Sequence, residues 1–156
     1  PPMFTQLLAE RLDRCSALTA REGFDGAVIQ SGEVWIAPGD FHMTVARQGT
    51  NVVLKTNQNM PENSCRPAVD VLFRSAADVY GNSTLAVVLT GMGDDGSHGS
   101  VDIRRRGGYV LAESSDTALI YGMPRAATAT GGTDIELPLS EIPEALAALV
   151  SGSRGR

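Results

Sequence analysis

A strand-like apolar run that ends in a glycine-rich turn constrains this chain more than any other feature. Residues 85–89 read Leu-Ala-Val-Val-Leu, and residues 90–96 read Thr-Gly-Met-Gly-Asp-Asp-Gly. Open α/β sheets place their functional residues where a buried strand leads into such a turn, at the carboxyl ends of the strands. Glycine permits backbone angles that other residues avoid, so the turn can be tight, and residues 97–106 can then begin a helix. We therefore expect the functional site at residues 91–96.

The spacing of apolar residues predicts helices and strands in alternation along the chain. Helical spacing covers residues 4–12, 69–80, 97–106, 124–131 and 142–150, the last helix capped by Ser140, and Ser114 is expected to cap a short helix that reaches Ile120. Strand-like runs are found at residues 27–29, 34–37, 85–89, 109–112 and 135–138. The runs 43–46 and 51–55 flank Gln-Gly-Thr, which predicts a hairpin, and residues 55–66 read as a long loop. The sequence therefore predicts an α/β fold with a doubly wound, mainly parallel sheet (Rossmann-like) and an antiparallel hairpin excursion.

Length and composition restrict the class of protein further. A chain of 156 residues fits one domain, which we expect over residues 1–150, followed by a flexible tail over 151–156. A net charge of −5 argues against nucleic acid and anionic membranes as partners. No apolar run is long enough to insert into a bilayer. The two cysteines, Cys15 and Cys65, stand alone, which fits a reducing cytoplasm and predicts no metal site.

The glycine pattern leaves two interpretations open. Residues 91–96 form a G-x-G-x-x-G, the fingerprint of dinucleotide binding, and Glu113 closes the next strand about 20 residues later, where a ribose-binding acid would stand. However, Asp94 and Asp95 occupy the turn that would receive a pyrophosphate, and each costs roughly 1 kcal/mol even at the dielectric constant of water. The turn is better suited to presenting a carboxylate. Asp95 is then either the acid that orients a histidine base or a turn residue that bonds its own backbone.

Other polar residues give weaker signals. His42 and His98 have neither a serine elbow nor a metal-like spacing, so we expect structural or surface histidines. Cys65 precedes Arg66, whose guanidinium would lower the pKa of a thiol nucleophile, but a free cysteine is more often a small buried hydrophobe. The cluster of three arginines at residues 104–106 ends a predicted helix, where positive charge suits the helix dipole.

Four segments taken together resemble the chemotaxis protein-glutamate methylesterases of the CheB type. In chain order they are VWIAPGDFHM at residues 34–43, RPAVDVLF at 66–73, LTGMGDDG at 89–96 and YGMPRAA at 121–127. They are similar to the family's Y-I-A-P-G-D-x-H-M, R-P-S-V-D-V-L-F, L-T-G-M-G-x-D-G and F-G-M-P-R-x-A. Four motifs in register over essentially the whole chain are far more specific than one glycine pattern.

The resemblance implies a catalytic domain in which a Ser-His-Asp triad hydrolyses glutamate methyl esters on chemoreceptors and deamidates receptor glutamines. By motif, the triad aspartate falls on Asp95, where it would accept the imidazole N–H of the histidine and stabilise the imidazolium. The backbone N–H of Met92 falls in the oxyanion hole, with Gly91 and Gly93 on either side of it.

The resemblance also implies the surroundings of this site. Met123, Pro124 and Arg125 belong to a loop beside it. The implied partners are the methylated cytoplasmic helices of chemoreceptors, with a possible receiver domain in a longer parent chain. The implied location is the cytoplasm, and no cofactor is implied.

The chain also departs from the family pattern. The family's serine lies in a Gly-x-Ser-Thr-Gly-Gly segment that is absent here, and its histidine would lie two residues before Pro1. In the loop before the second motif, Cys65 replaces a histidine and Ala68 a serine. We therefore expect a truncated methylesterase domain that lacks its first strands and is inactive by itself. Two alternatives are a non-catalytic module that binds receptors or another partner and, less favoured, a dinucleotide-binding domain.

Overall fold

The computed structural model of the chain describes residues 1–152, so residues 153–156 of the predicted tail lie outside the described residues. Internal contacts divide the chain into a first unit, Pro1–Tyr80, and a second unit that begins at Gly81. The expectation of one domain over residues 1–150 stays a prediction. Within the described residues, no helix has the length and apolar character that crossing a membrane requires.

The first unit combines a parallel strand pair, an antiparallel hairpin and two helices. Its elements are α1 (Pro2–Cys15), β1 (Thr19–Glu22), β2 (Glu33–Ile36), β3 (His42–Gln48), β4 (Asn51–Asn57) and α2 (Val69–Tyr80). β1 and β2 run parallel and α1 packs on both, whereas β3 and β4 form the predicted hairpin around Gly49-Thr50, and α2 packs on β3. Ala27, Met43 and Leu54 form a buried core cluster in this unit.

Two strand predictions in the first unit need correction. Residues 27–29 do not form a strand, because the segment makes a single antiparallel bridge between Val28 and Val53. β1 was not predicted, because its sequence Thr-Ala-Arg-Glu has only one β-branched residue and no second apolar residue.

The second unit is a parallel three-stranded sheet with helical connections. Its elements are a 3₁₀ turn (Gly81–Ser83), β5 (Leu85–Val88), α3 (Ser97–Arg105), β6 (Tyr109–Glu113), α4 (Met123–Ala129), β7 (Ile135–Leu137) and α5 (Ile142–Val150). The strand order is β5-β6-β7, and all neighbours are parallel. β6 is the central strand, and the side chains at 110–113 are buried, as expected for a strand covered on both faces. The mixed α/β class with parallel strands and an antiparallel hairpin is therefore confirmed.

One helix prediction and one cap prediction in the second unit are wrong. The helix expected from Ser114 to Ile120 is absent, because residues 114–118 form a turn and Ile120 hydrogen-bonds to Thr90 and Gly91 instead. These long-range bonds replace the local helical bonds that the Ser-Ser-Asp sequence suggested. The last helix begins as predicted at Ile142, but its N-cap residue is Glu141 and not Ser140.

Candidate functional site

Two loops of the second unit meet at the carboxyl end of β5. The glycine-rich turn (residues 90–96) follows β5, and the anchoring loop (residues 119–122) precedes α4. The backbone N–H of Gly91 donates to the carbonyl of Ile120 at 3.0 Å, and the N–H of Met123 donates to the carbonyl of Gly91 at 2.9 Å. Gly91 and Tyr121 form an isolated parallel bridge. Backbone hydrogen bonds thus join the third and fourth sequence motifs.

The approach of the two loops depends on glycine at two positions, more strictly at Gly122 than at Gly91. A Cβ atom on Gly122 would lie 2.6 Å from the carbonyl oxygen of Gly91 and 3.1 Å from the nitrogen of Gly93. A Cβ atom on Gly91 would lie 2.5 Å from the sulfur of Met123. Because the contacts of Gly122 are with backbone atoms, the loops can lie this close only without a side chain there, whereas the contact of Gly91 is with the end of a flexible side chain that can move.

The two neighbouring aspartates of the turn lie in different environments. Asp95 is buried, with 7% of its surface exposed, and one of its carboxylate oxygens accepts the backbone N–H of Gly96 at 2.9 Å. Asp94 is exposed, and its backbone carbonyl accepts the N–H of Ser97. Gly96 precedes α3 with a φ of 86°, in the left-handed region, so Asp95 lies at the N-terminal end of that helix. The partial positive charge there favours a carboxylate.

Met92 is presented outward by the glycine-rich turn. Its side chain is 83% exposed, and the next residue, Gly93, has a φ of 93°. Among the described residues, the backbone N–H of Met92 donates no hydrogen bond. A donor held on an ordered turn without an internal acceptor is what an oxyanion hole requires.

The beginning of α4 lies beside this turn. Met123 places its sulfur next to Gly91, Pro124 is buried in the first turn of the helix, and Arg125 is exposed. The hydroxyl of Tyr121 donates to the carboxylate of Glu136, which lies on β7. This hydrogen bond, with burial as a second cause, raises the pKa of the Tyr121 phenol.

Glu113 lies at the end of β6 but is not placed to bind a ribose. It is 1% exposed, and its two carboxylate oxygens accept the backbone N–H of Thr90 at 2.8 Å and the hydroxyl of Thr117 at 2.9 Å. Since both oxygens are already bonded inside the protein, the residue that most favoured dinucleotide binding has an internal role.

Of the other candidate residues, His42 and Cys65 belong to the first unit, whereas His98 lies in the first turn of α3, two residues after Gly96. His42 is buried, and its ring joins the carbonyl of Met60 to the N–H of Ala68, so it is the structural histidine that the sequence suggested. His98 is exposed on α3. Cys65 is exposed, so the expectation of a small buried hydrophobe is wrong for it. Within residues 1–152, no group of three or more His, Cys, Asp or Glu side chains could hold a metal ion.

Sequence reasoning missed the role of the residues that support the turn. Thr90 and Glu113 tie the turn to β6, and Tyr121 and Glu136 tie the anchoring loop to β7. A polar residue directly after each of two neighbouring buried strands was a usable signal for Thr90 and Glu113. No local signal pairs Tyr121 with Glu136.

Comparison with known proteins places the chain in a family. The family model described as CheB methylesterase matches residues 1–146. A crystal structure of the Thermotoga maritima CheB methylesterase catalytic domain superimposes with a TM-score of 0.92 at 43% sequence identity, covering 96% of this chain and 79% of that one. The fold and its glycine-rich turn are therefore those of an α/β esterase domain, and the chain belongs to the CheB methylesterase family.

Two full-length relatives extend the comparison. Protein-glutamate methylesterase/protein-glutamine glutaminase of Trichodesmium erythraeum is 50% identical over 144 residues, which cover 92% of this chain and 41% of the relative. Protein-glutamate methylesterase/protein-glutamine glutaminase 2 of Pseudomonas aeruginosa is 48% identical over 146 residues, which cover 94% of this chain and 42% of the relative. The chain thus spans about two fifths of the length of these curated relatives.

Proposed function

We propose that this chain supplies the acid and one oxyanion-hole donor of a protein-glutamate methylesterase that also deamidates glutamine. The observation that carries the proposal is that a buried Asp95 and an exposed Met92, whose N–H makes no hydrogen bond among the described residues, lie on one ordered turn. Such an acid orients a histidine base and stabilises its charged form, while the N–H stabilises the oxyanion of a tetrahedral intermediate.

We infer that the other two triad members lie outside this chain. The only histidines are His42 and His98, and His42 has both ring nitrogens bonded to backbone groups. The sequence contains no Gly-x-Ser-Thr-Gly-Gly segment. We infer that the 156-residue chain alone does not hydrolyse esters and that the serine and histidine come from a longer parent protein.

The substrate and partners follow from the same proposal. The reaction would take place on methylated glutamates of the cytoplasmic helices of chemoreceptors, which puts the protein in the cytoplasm. The relatives are more than twice as long as this chain, which leaves room in a parent protein for a receiver domain. The proposed chemistry needs no cofactor, since the triad and the oxyanion hole suffice for acyl transfer.

A chimera tests this proposal. The part of the Thermotoga maritima domain that this chain does not cover is fused to it, and methanol release from methylated chemoreceptors is measured. We expect release by the chimera and none by the chain alone. Asp95→Asn in the chimera should lower kcat by about 10⁴-fold, as expected for an acid that fixes the histidine tautomer.

The neighbouring acid provides a matched control. Asp94→Asn removes the same charge from an exposed position and should leave kcat nearly unchanged. Ester hydrolysis by the unfused chain would show that the missing serine and histidine are not needed. An inactive chimera that still binds receptors would favour the non-catalytic binding module instead.

A further inference from the structure

Glu113 is a buried acid that the proposed reaction does not use. It is the last residue of β6, and both of its carboxylate oxygens accept hydrogen bonds from other segments. One donor is the backbone N–H of Thr90, in the segment that leads into the glycine-rich turn, and the other is the hydroxyl of Thr117. Burying a carboxylate is costly, so a position that keeps one buried has a specific requirement for it.

The bond from Glu113 gives the N–H of Thr90 an acceptor that the sheet does not provide. The paired register of β5 and β6 ends at Val88 and Ala112, so the N–H of Thr90 lies beyond the ladder. The Glu113 side chain reaches this N–H from the end of the neighbouring strand. The sheet is thereby extended by one side-chain hydrogen bond to the residue directly before Gly91.

The hydroxyl of Thr90 fixes the other side of the same residue. It accepts the backbone N–H of Ile120 at 2.8 Å, and the adjacent Gly91 donates to the carbonyl of Ile120. Thr90 is thus held by Glu113 through its backbone and by the anchoring loop through its side chain. Met92, with the proposed oxyanion-hole N–H, lies only two residues further along the chain.

The donors around Glu113 explain why an acid suits this position. A backbone N–H can only donate, and the Thr117 hydroxyl oxygen already accepts the N–H of Leu139, so its own proton needs an acceptor. A carboxylate offers two acceptor oxygens, and its charge strengthens both bonds. A side chain with one acceptor could bond only one of these two donors, and the other donor would have to find a new acceptor.

We propose that Glu113 is a positioning residue for the oxyanion hole: by holding Thr90, it sets the backbone orientation of Gly91 and Met92. This role rests on the proposed function of the Met92 N–H. It predicts that loss of the Glu113–Thr90 hydrogen bond moves the Met92 amide, whereas loss of the Glu113–Thr117 bond does not.

Three substitutions in the 156-residue chain separate these effects, with assigned amide NMR spectra as the readout. Glu113→Met keeps the length of the side chain but removes both acceptors. Glu113→Gln keeps one acceptor for Thr90 and offers its NH₂ group to Thr117. Thr117→Val removes the second bond, together with the bond from the Leu139 N–H to the same hydroxyl, and leaves the Glu113–Thr90 bond in place. We expect Glu113→Met to speed amide exchange at Thr90 about tenfold and to shift the Met92 amide signal, because one charge-assisted hydrogen bond is lost.

The remaining two variants decide how the effect arises. Glu113→Gln should restore the Met92 signal and the protection of Thr90, and Thr117→Val should leave the Met92 signal where it is in the unmodified chain. An unshifted Met92 signal in Glu113→Met overturns the proposal, as does a shift in Thr117→Val of the same size. If Glu113→Met does not fold, Glu113→Asp replaces it, because the shorter carboxylate cannot reach both donors. The Met92 signal must then shift if the Thr90 amide loses its protection and stay in place if Thr90 keeps it, and either mismatch overturns the proposal.

The same variants in the chimera separate this inference from the proposed function. With Glu113→Met, kcat should fall more than KM changes, and Glu113→Gln should recover it. A chimera that is inactive in every form refutes the proposed function but leaves the Met92 readout standing. An active chimera in which Glu113→Met changes neither kcat nor the Met92 signal refutes only the positioning role.

Discussion

Two irregular segments of this protein are ordered by opposite means. The polar loop (residues 57–67) of the first unit is held by side chains: the guanidinium of Arg66 donates to Asp40 and to two backbone carbonyls, and the ring of His42 bridges Met60 and Ala68. The glycine-rich turn of the second unit is held mostly by backbone hydrogen bonds and by the close approach of Gly91 and Gly122.

The difference explains what each motif contributes. Around the polar loop, the side chains of Asp40, His42 and Arg66, which belong to the first two sequence motifs, all make internal hydrogen bonds. In the glycine-rich turn, backbone bonds provide most of the order, so the Met92 side chain stays exposed and its N–H makes no hydrogen bond among the described residues. A motif rich in polar residues can thus be structural, and a motif rich in glycine can carry the chemistry.

Gly122→Ala should have the largest effect, because it attacks the backbone contact itself. The new Cβ atom would meet the Gly91 carbonyl at 2.6 Å, and neither backbone can yield without breaking the bonds between the loops. We expect the free energy of unfolding to fall by about 3 kcal/mol, the upper range for overpacking. Chemical denaturation at a constant m-value measures it.

Gly91→Ala is the matched control for this prediction. Its Cβ atom would meet the end of the flexible Met123 side chain, which can move, so the free energy of unfolding should fall by only about 1 kcal/mol. Equal losses in the two variants would mean that the close backbone approach does not determine the stability of the turn.

His42→Ala should have the second largest effect, because it removes the buried β3 side chain that joins Met60 of the polar loop to Ala68. Since Nδ1 accepts the N–H of Ala68, Nε2 carries the proton and donates to the carbonyl of Met60. Truncation leaves both backbone groups unbonded and a cavity in a buried site, at a cost of about 2 kcal/mol. Thermal and chemical unfolding measure the loss.

The exposed histidine provides the comparison for this variant. His98→Ala should change stability by less than about 0.5 kcal/mol, as is usual for exposed positions. If His42→Ala were equally harmless, the polar loop would not depend on its side chains and the contrast between the two segments would fail.

The same contrast shows how far the sequence could predict the structure. The elements with clear periodicity were predictable: the hairpin, α2, α3 and the strands β5 and β6 lie within two residues of their expected positions. The position of Asp95 came from a motif, but its burial came from the fold. The predictions that failed concern segments whose conformation depends on distant partners. Ile120, for example, bonds to Thr90 at a separation of 30 residues instead of completing a helix.

Glu113 illustrates the limit for the candidate site. Its place at the end of a strand was visible in the sequence, and it suggested a ribose-binding acid. Only the pairing of β5 with β6 brings Thr90 within reach of its carboxylate. Local sequence carries the type of residue at a strand end, whereas the partner of that residue depends on which strands become neighbours.

Arg66→Ala tests the polar loop at a more exposed position, where we expect a smaller loss of stability than for His42→Ala. It removes hydrogen bonds to the carbonyls of Gln58 and Asn59 at the partly exposed edge of the polar loop, so we expect a loss of about 1 kcal/mol. Arg66→Lys keeps the charge but not the planar group that reaches several acceptors, so it should recover only part of the stability. Full recovery by lysine would show that charge alone holds this loop.

The partner of Arg66 adds a dependence on pH. The hydrogen bond and the charge of Arg66 hold the pKa of Asp40 below its usual value. A carboxyl group with a lowered pKa stabilises the fold above its unfolded pKa of about 3.9, and this contribution is lost as pH falls through the lower folded value. The stability difference between the unmodified chain and Asp40→Asn should therefore shrink below about pH 4. A difference that stays constant down to pH 2 would exclude this linkage.

The hydrogen bond between Tyr121 and Glu136 should give the smallest effect, because it anchors the backbone-held turn at its periphery. The bond raises the pKa of the Tyr121 phenol, so its contribution is complete below the unfolded value of about 10 and is lost as pH rises through the folded value. Glu136→Gln should move the Tyr121 pKa back towards about 10 and remove this alkaline dependence. NMR titration of the phenol carbons measures it, with Tyr80 and Tyr109 as internal references. An unchanged Tyr121 pKa in Glu136→Gln would exclude this hydrogen bond as the cause of the shift. A shifted Gly91 amide would mean that side chains also hold the anchoring loop, as they hold the polar loop.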